Sequence, residues 1–141
     1  MESLKLPGTL DSLGAITQYV MEAAKTAGLE KKAAYKLRLA VDEIATNIIT
    51  HGYEEAGLTG DILCQAEIKP ERLTIILEDW GTPYDPTQNP DPEITDLPLE
   101  DRPMGGLGVY LALDGVDEFH YEWVNNRNRN IFVVYPPTET K

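Results

Sequence analysis

Glu43 and Asn47 stand four residues apart in the run Arg38-Leu39-Ala40-Val41-Asp42-Glu43-Ile44-Ala45-Thr46-Asn47. On a helix that spacing stacks a carboxylate and a carboxamide on one face, about 6 Å from each other. Asparagine is a poor residue mid-helix because its side chain competes for backbone hydrogen bonds. A second group is Glu78-Asp79-Trp80-Gly81-Thr82-Pro83-Tyr84-Asp85. An aspartate at a strand end can accept a hydrogen bond from the exocyclic amine of adenine, and Gly81 would let the backbone come close to such a base. A third is Gly105-Gly106-Leu107-Gly108, followed by apolar residues. Backbone N–H groups at a helix start, unobstructed by side chains, form an anion cradle. No Gly-Lys-Ser/Thr follows, so this is not a Walker loop. Taken singly, each group is also ordinary: a solvated helix face, a turn after a strand, a loop-to-helix junction.

The elements that must position these groups can be read from periodicity. Leu37, Val41, Ile44 and Ile48 recur at spacings of four, three and four, the buried stripe of an amphipathic helix. That helix is expected from about Glu30 to His51, with Gly52 as its stop and His51 capping the last carbonyls. Glu43 and Asn47 then sit about a quarter-turn from the stripe, at the rim of the core. Leu10, Leu13, Ile16, Val20, Met21 and Ala24 predict an earlier helix, from a Thr9 N-cap to Gly28. The joint between the two is short, so they should pack antiparallel.

Leu4 to Gly8 reads as a short edge strand. Asp61–Lys69 and Arg72–Glu78 read as a hairpin around Pro70-Glu71, the second strand being central and rich in β-branched residues. Val116–Val124 and Asn130–Tyr135 form another hairpin around the turn Asn125–Asn128. Between the hairpins, Thr82–Met104 holds six of the ten prolines, six acidic residues and a single basic one, Arg102. Segments of that length and composition inside compact domains are usually lids, binding loops or inserts. A short helix follows at Val109–Leu113. Antiparallel hairpins with the helices gathered apart give an α+β class: a two-layer α/β sandwich, its sheet mixed but mostly antiparallel, with helices on one face.

A chain of 141 residues suggests one domain, 1–141. The net charge is −12, from 24 acidic against 12 basic residues, which argues against a nucleic-acid partner. A phosphate ligand would need Mg²⁺ and local backbone donors to offset the repulsion. The lone Cys64 excludes an internal disulfide and a multi-cysteine zinc site. No leader pattern opens the chain and no stretch approaches a membrane span, so the expectation is a cytoplasmic protein without a membrane partner.

Together the three groups occur in one order within one small domain, and this resembles the Bergerat-type ATP-binding fold of DNA gyrase, histidine kinases and a heat-shock chaperone. The similarity is strongest to the bacterial anti-sigma-factor serine kinases, or switch-protein kinases. It rests on Ala40–Asn47 followed by His51-Gly52-Tyr53, and on Gly105-Gly106-Leu107-Gly108-Val109-Tyr110-Leu111, and it covers about Leu4 to Val134. The resemblance implies that Asn47 binds Mg²⁺ bridging the phosphates of ATP. It implies that Glu43 is the general base toward the attacking hydroxyl, and that Asp79 reads adenine with Gly81 below it. Gly105, Gly106, Leu107 and Gly108 would close on the phosphates. In-line phosphoryl transfer asks for little more than metal neutralisation and a positioned nucleophile.

The function implied is a serine/threonine protein kinase that binds a sigma factor and phosphorylates a small antagonist protein. A nucleotide-gated partner-binding module without kinase activity is the alternative. Homodimerisation is an expectation carried by the resemblance alone. This sequence departs from its relatives at Asn125–Asn130, where many have a glycine-threonine turn, which leaves no hydroxyl there for a phosphate contact.

Overall fold

The structure, a computed structural model, describes residues 1–87, 109 and 112–137. Strand β1 (Leu4–Pro7) leads through a 3-10 turn (Leu10–Ser12) into helix α1 (Leu13–Ala27). Helix α2 (Lys31–Asn47) follows and runs on into a π-helical segment, Ile48–Glu54. Then come β2 (Asp61–Lys69), β3 (Arg72–Asp79), β4 (Glu118–Val124) and β5 (Arg127–Val134). The five strands form one sheet in the order β1-β2-β3-β5-β4, and every pairing among the described residues is antiparallel.

Alternation along the strands decides what faces the helices. Ile62, Cys64 and Ala66 of β2, Leu73, Ile75 and Leu77 of β3, and Phe132 and Val134 of β5 are buried in one core. Against them lie Ile16, Val20, Ala23 and Ala24 of α1 and Leu37, Val41, Ile44 and Ala45 of α2. Two helices on one face of a sheet make the expected two-layer sandwich. Cys64 is an inert part of that core, its thiol pushed up to about 12 by burial. Two side chains pin the helices. Thr17 Oγ1 of α1 donates to Asp42 Oδ1 of α2 at 2.7 Å. Tyr19 OH donates to the Glu2 carbonyl at 2.8 Å and accepts from the Ala66 amide at 3.0 Å.

Gly28 ends α1 as read from the sequence: at φ 80° it is left-handed, and its N–H reaches the carbonyls of Ala24 and Lys25. Thr9 is not the N-cap, because the 3-10 turn intervenes and its side chain makes no capping bond. Gly52 is not a helix stop either. The chain passes through it in the π-helical segment and turns at Gly57, φ 68°.

Tyr53 supplies a physical reason for that wide turn, since its side chain is buried and tied at the hydroxyl. The hydroxyl donates to the Asp61 carbonyl at 2.7 Å and accepts the Trp80 amide at 2.9 Å. A Cβ on Gly8 or Gly60 would come within 2.5 or 2.8 Å of the ring, so both glycines make room for it. His51 caps no carbonyl; it is exposed and pairs with Glu55 Oε1 at 2.9 Å.

The last hairpin is tighter than the sequence reading. Its turn is Asn125-Asn126 alone, at φ 54° and 63°. Two left-handed central residues match the twist of the flanking strands, and asparagine tolerates that conformation. Strand β5 therefore begins at Arg127, three residues before the expected start at Asn130.

Candidate nucleotide site

At the carboxyl end of β3 the inward face of the sheet turns polar. Asp79 pairs with Asn128 across β3–β5, and Asn130 lies one inward step further along β5. All three side chains are buried. A buried carboxylate without compensating partners is costly, and Asp79 has two on one oxygen. Its Oδ1 accepts from the Gly81 amide at 3.0 Å and from Asn128 Nδ2 at 2.9 Å. Burial raises the Asp79 carboxyl above its ordinary 3.8, and these two donors pull it back down.

The Asn128 carboxamide has its orientation set by its neighbours. Its Oδ1 accepts from the Tyr84 amide at 3.1 Å and from the Tyr121 hydroxyl. The Nδ2 end must then face Asp79, and it also reaches the Thr82 carbonyl at 3.2 Å. Asp79 is thereby met only by donors, the setting a carboxylate needs.

Gly81 has a reason of its own. A Cβ there would lie 2.7 Å from the Gly52 carbonyl oxygen and 3.2 Å from Asp79 Oδ1. The same Gly52 carbonyl accepts from the Thr82 amide at 3.2 Å. The backbone that crowds Gly81 is thus that of the π-helical segment, which clamps the end of β3 against α2.

Above these groups opens a small recess, with about 10 Å³ of free volume, walled by Ile44, Asn47 and Ile48 on one side and Asp79, Asn128 and Asn130 on the other. Tyr84 and Pro86 stand at its edge. Three buried polar atoms of that wall have no partner among the described residues: Asn47 Nδ2, Asp79 Oδ2 and Asn130 Oδ1. Buried polar groups are nearly always hydrogen-bonded, so a donor and two acceptors left over in one recess mark a place where a polar ligand fits. That free volume is about one water's worth of room, so a larger occupant requires the wall to open.

Glu43 lies one turn before Asn47, half-buried and beside the recess, not in its wall. Burial raises its carboxyl above the ordinary 4.5. Its charge is felt by Tyr84, whose phenol is pushed up by burial first, then by Asp85 and Glu43. Among the described residues no cluster of three His, Cys, Asp or Glu side chains is placed to hold a metal ion. No helix among them is long and apolar enough to cross a membrane.

The structure brings Asn47, Asp79 and Gly81 together and sets Glu43 alongside. Gly105, Gly106, Leu107, Gly108 and Arg102 lie outside the described residues, as does most of the expected lid. The sequence reading missed Asn128, Asn130, Tyr84 and Tyr121. A signal for the first two was available: Asn128 and Asn130 continue the inward alternation of Phe132 and Val134, as polar residues on a core-facing edge. Arg127 and Arg129 alternate to the other face, where they meet Glu78 at 3.4 and 3.2 Å. They are therefore turned away from the recess.

Such a sheet, with a polar recess between a helix and the end of a central strand, defines a nucleotide-binding class of domain. Comparison with known families agrees: the family described as "Histidine kinase-like ATPase domain" matches residues 6–133, and the chain belongs to it. Within that family it is similar to "Serine-protein kinase RsbW" of Bacillus licheniformis, at 27% identity over 84% of this chain and 76% of that protein. The protein of the same name from Bacillus pumilus is 29% identical over 82% of this chain and 74% of its own length.

Among solved structures it is similar to the blue-light activated histidine kinase of Erythrobacter litoralis EL346, at TM-score 0.54 and 17% identity over 88% of this chain. The histidine kinase domain of the same protein matches at TM-score 0.50 and 17% identity over 86%. The chain spans 40% and 60% of those two structures, and at this identity they show the fold alone.

Proposed function

We propose that this protein is an ATP-dependent serine/threonine protein kinase that binds a sigma factor and phosphorylates a small antagonist protein in the cytoplasm. The observation that carries the reading is the recess itself: a buried carboxylate met by donors on one oxygen, its other oxygen without a partner among the described residues. That free Oδ2 is suited to accept the exocyclic amine of adenine. With the base anchored there, Asn47 and, one turn before it on α2, Glu43 would be the residues toward the phosphates.

Mg²⁺ fits such a site as a guest of the nucleotide. It keeps water and phosphate oxygens as ligands and asks the protein for one or two oxygens, of which Asn47 would supply one. When bound, it neutralises charge on the transferring phosphoryl group. Gly105-Gly106-Leu107-Gly108 would add backbone donors to the phosphates.

Glu43 has the properties of a general base. It is half-buried, carries no salt bridge among the described residues, and has its carboxyl raised by burial. It takes the proton from a serine hydroxyl as that oxygen attacks the terminal phosphorus, whose bond to the bridging oxygen breaks and releases ADP. Its neighbour Asp42 is occupied with Thr17 and with Arg38 at 3.5 Å, which leaves Glu43 the free carboxylate of the pair. The phosphate added to the antagonist then meets a chain of net charge −12, which favours release.

The relatives named as serine-protein kinases support this reading. The test is incubation with γ-labelled Mg-ATP, a sigma factor and a candidate antagonist. Label on an antagonist serine is the expected result. Nucleotide binding with no transfer would make the protein a nucleotide-gated binding module instead.

A further inference from the structure

Asn130 is 2% exposed, and its Oδ1 is buried in the recess wall without a partner among the described residues. A hydrogen-bonding group of this kind on a core strand destabilises the free protein, and an apolar residue would serve the fold better. Asp79 Oδ2 is the other unpaired acceptor in the same wall. The register makes the two diagonal neighbours on one face, since Asp79 pairs with Asn128 and Leu77 with Asn130. Diagonal Cα atoms stand about 7–8 Å apart, and their side chains can converge.

An exocyclic amine carries two N–H bonds about 120° apart, so a pair of acceptors must sit about 5 Å from each other to take both. We propose that Asn130 is a specificity-determining residue for the base: its carbonyl and the Asp79 carboxylate together grip both hydrogens of the amine. This rests on the reading of the recess as the adenine site. Asn128 is the positioning residue of the pair, held by Tyr84 and Tyr121 so that it donates to Asp79 and leaves Oδ2 free. Such a site refuses a 6-oxo purine and also discriminates against an amine with one hydrogen replaced.

The test is titration calorimetry of the full chain and its Asn130→Leu variant with the Mg complexes of ATP, N6-methyl-ATP and ITP. The wild type should prefer ATP to N6-methyl-ATP by about tenfold, one hydrogen bond, and to ITP by about 100-fold or more. Asn130→Leu should bind ATP about tenfold more weakly and N6-methyl-ATP unchanged, so that their ratio falls to about one, while ITP is still refused through Asp79. The nucleotide-free variant should melt at the same or a higher temperature, because it loses an unpaired acceptor.

Asn130→Ala is the second variant should leucine not be accommodated, judged on the same fall in ATP affinity. An undiminished preference for ATP over N6-methyl-ATP in either variant overturns the role of Asn130 and leaves the adenine reading standing. Equal binding of ATP and ITP by the wild type overturns the adenine reading and this proposal with it.

Discussion

Asp79→Asn is the substitution whose outcome the geometry fixes most tightly. Two donors, the Gly81 amide at 3.0 Å and Asn128 Nδ2 at 2.9 Å, converge on Oδ1. An asparagine here must keep its carbonyl oxygen toward both, because flipping would set its NH₂ against two donors. Its NH₂ then points where Oδ2 now lies, into the recess, and a donor faces the donor amine of adenine.

A hydrogen bond to a charged acceptor contributes about 1.5–3 kcal/mol. Its loss weakens ATP binding by about 10- to 150-fold, and the donor–donor contact pushes toward the upper figure. ITP, whose oxygen would meet the new NH₂, should gain. The free protein should not suffer. Burial raises the Asp79 carboxyl above 3.8, so its contribution favours folding below that pH and is lost as pH rises through the raised value.

Replacing it with a neutral isostere removes that loss, and the variant should melt at or above the wild-type temperature from neutral pH downward, the gap closing near pH 4. Calorimetric titration with Mg-ATP and Mg-ITP, paired with melting curves across pH, reads all three effects. Equal weakening of both nucleotides, or a variant that unfolds at room temperature, would refute the reasoning.

Other outcomes follow from single residues. Glu43→Gln should keep ATP affinity within about threefold while phosphoryl transfer falls by about 100-fold or more, measured by single-turnover labelling. In the wild type, transfer should decline on the acid side with a midpoint above the ordinary carboxyl value of 4.5, since burial raises Glu43 and only its carboxylate accepts a proton. Gly81→Ala places a methyl 2.7 Å from the Gly52 carbonyl and should cost about 1–3 kcal/mol in denaturant titrations, with a weakened ATP site. Gly14→Ala, in the first turn of α1 with nothing within 4 Å of the new methyl, should instead gain about 0.5 kcal/mol.

Long periodic segments were legible from the chain, and local exceptions were not. The stripe Leu37, Val41, Ile44, Ile48 and the β-branched run of β3 respond to core burial over many residues, so their patterns survive any local detail. Glu43, Asn47, Asp79 and Gly81 could be singled out because an asparagine mid-helix and an Asp-x-Gly after a strand break those patterns. The end of α2 was misplaced because Gly52 looks like a stop. What decides the turn is Tyr53, whose ring must reach Asp61 and Trp80, and that demand is tertiary.

Asn128 and Asn130 were hidden for a related reason. In a stretch reading Asn-Asn-Arg-Asn-Arg-Asn, four asparagines favour a turn, and only pairing with β3 and β4 shows that the strand already begins at Arg127. The role of Gly81 shifted likewise. The sequence shows that a side chain is unwelcome, but not that the obstacle is Gly52.

A nucleotide occupying the recess between Asn47 and Asp79 is the central requirement of the proposed function. The most direct measurement is the melting temperature of the full chain with and without Mg-ATP at about one hundred times its dissociation constant. Binding to the folded state alone then adds about 2.7 kcal/mol, a rise of about 8 °C for a domain of this size. A rise of that order with Mg-ATP, cut to about 1–4 °C by Asp79→Asn at the same concentration, is the expected result. No shift at millimolar Mg-ATP, or a shift that Asp79→Asn leaves intact, would contradict the assignment of the site.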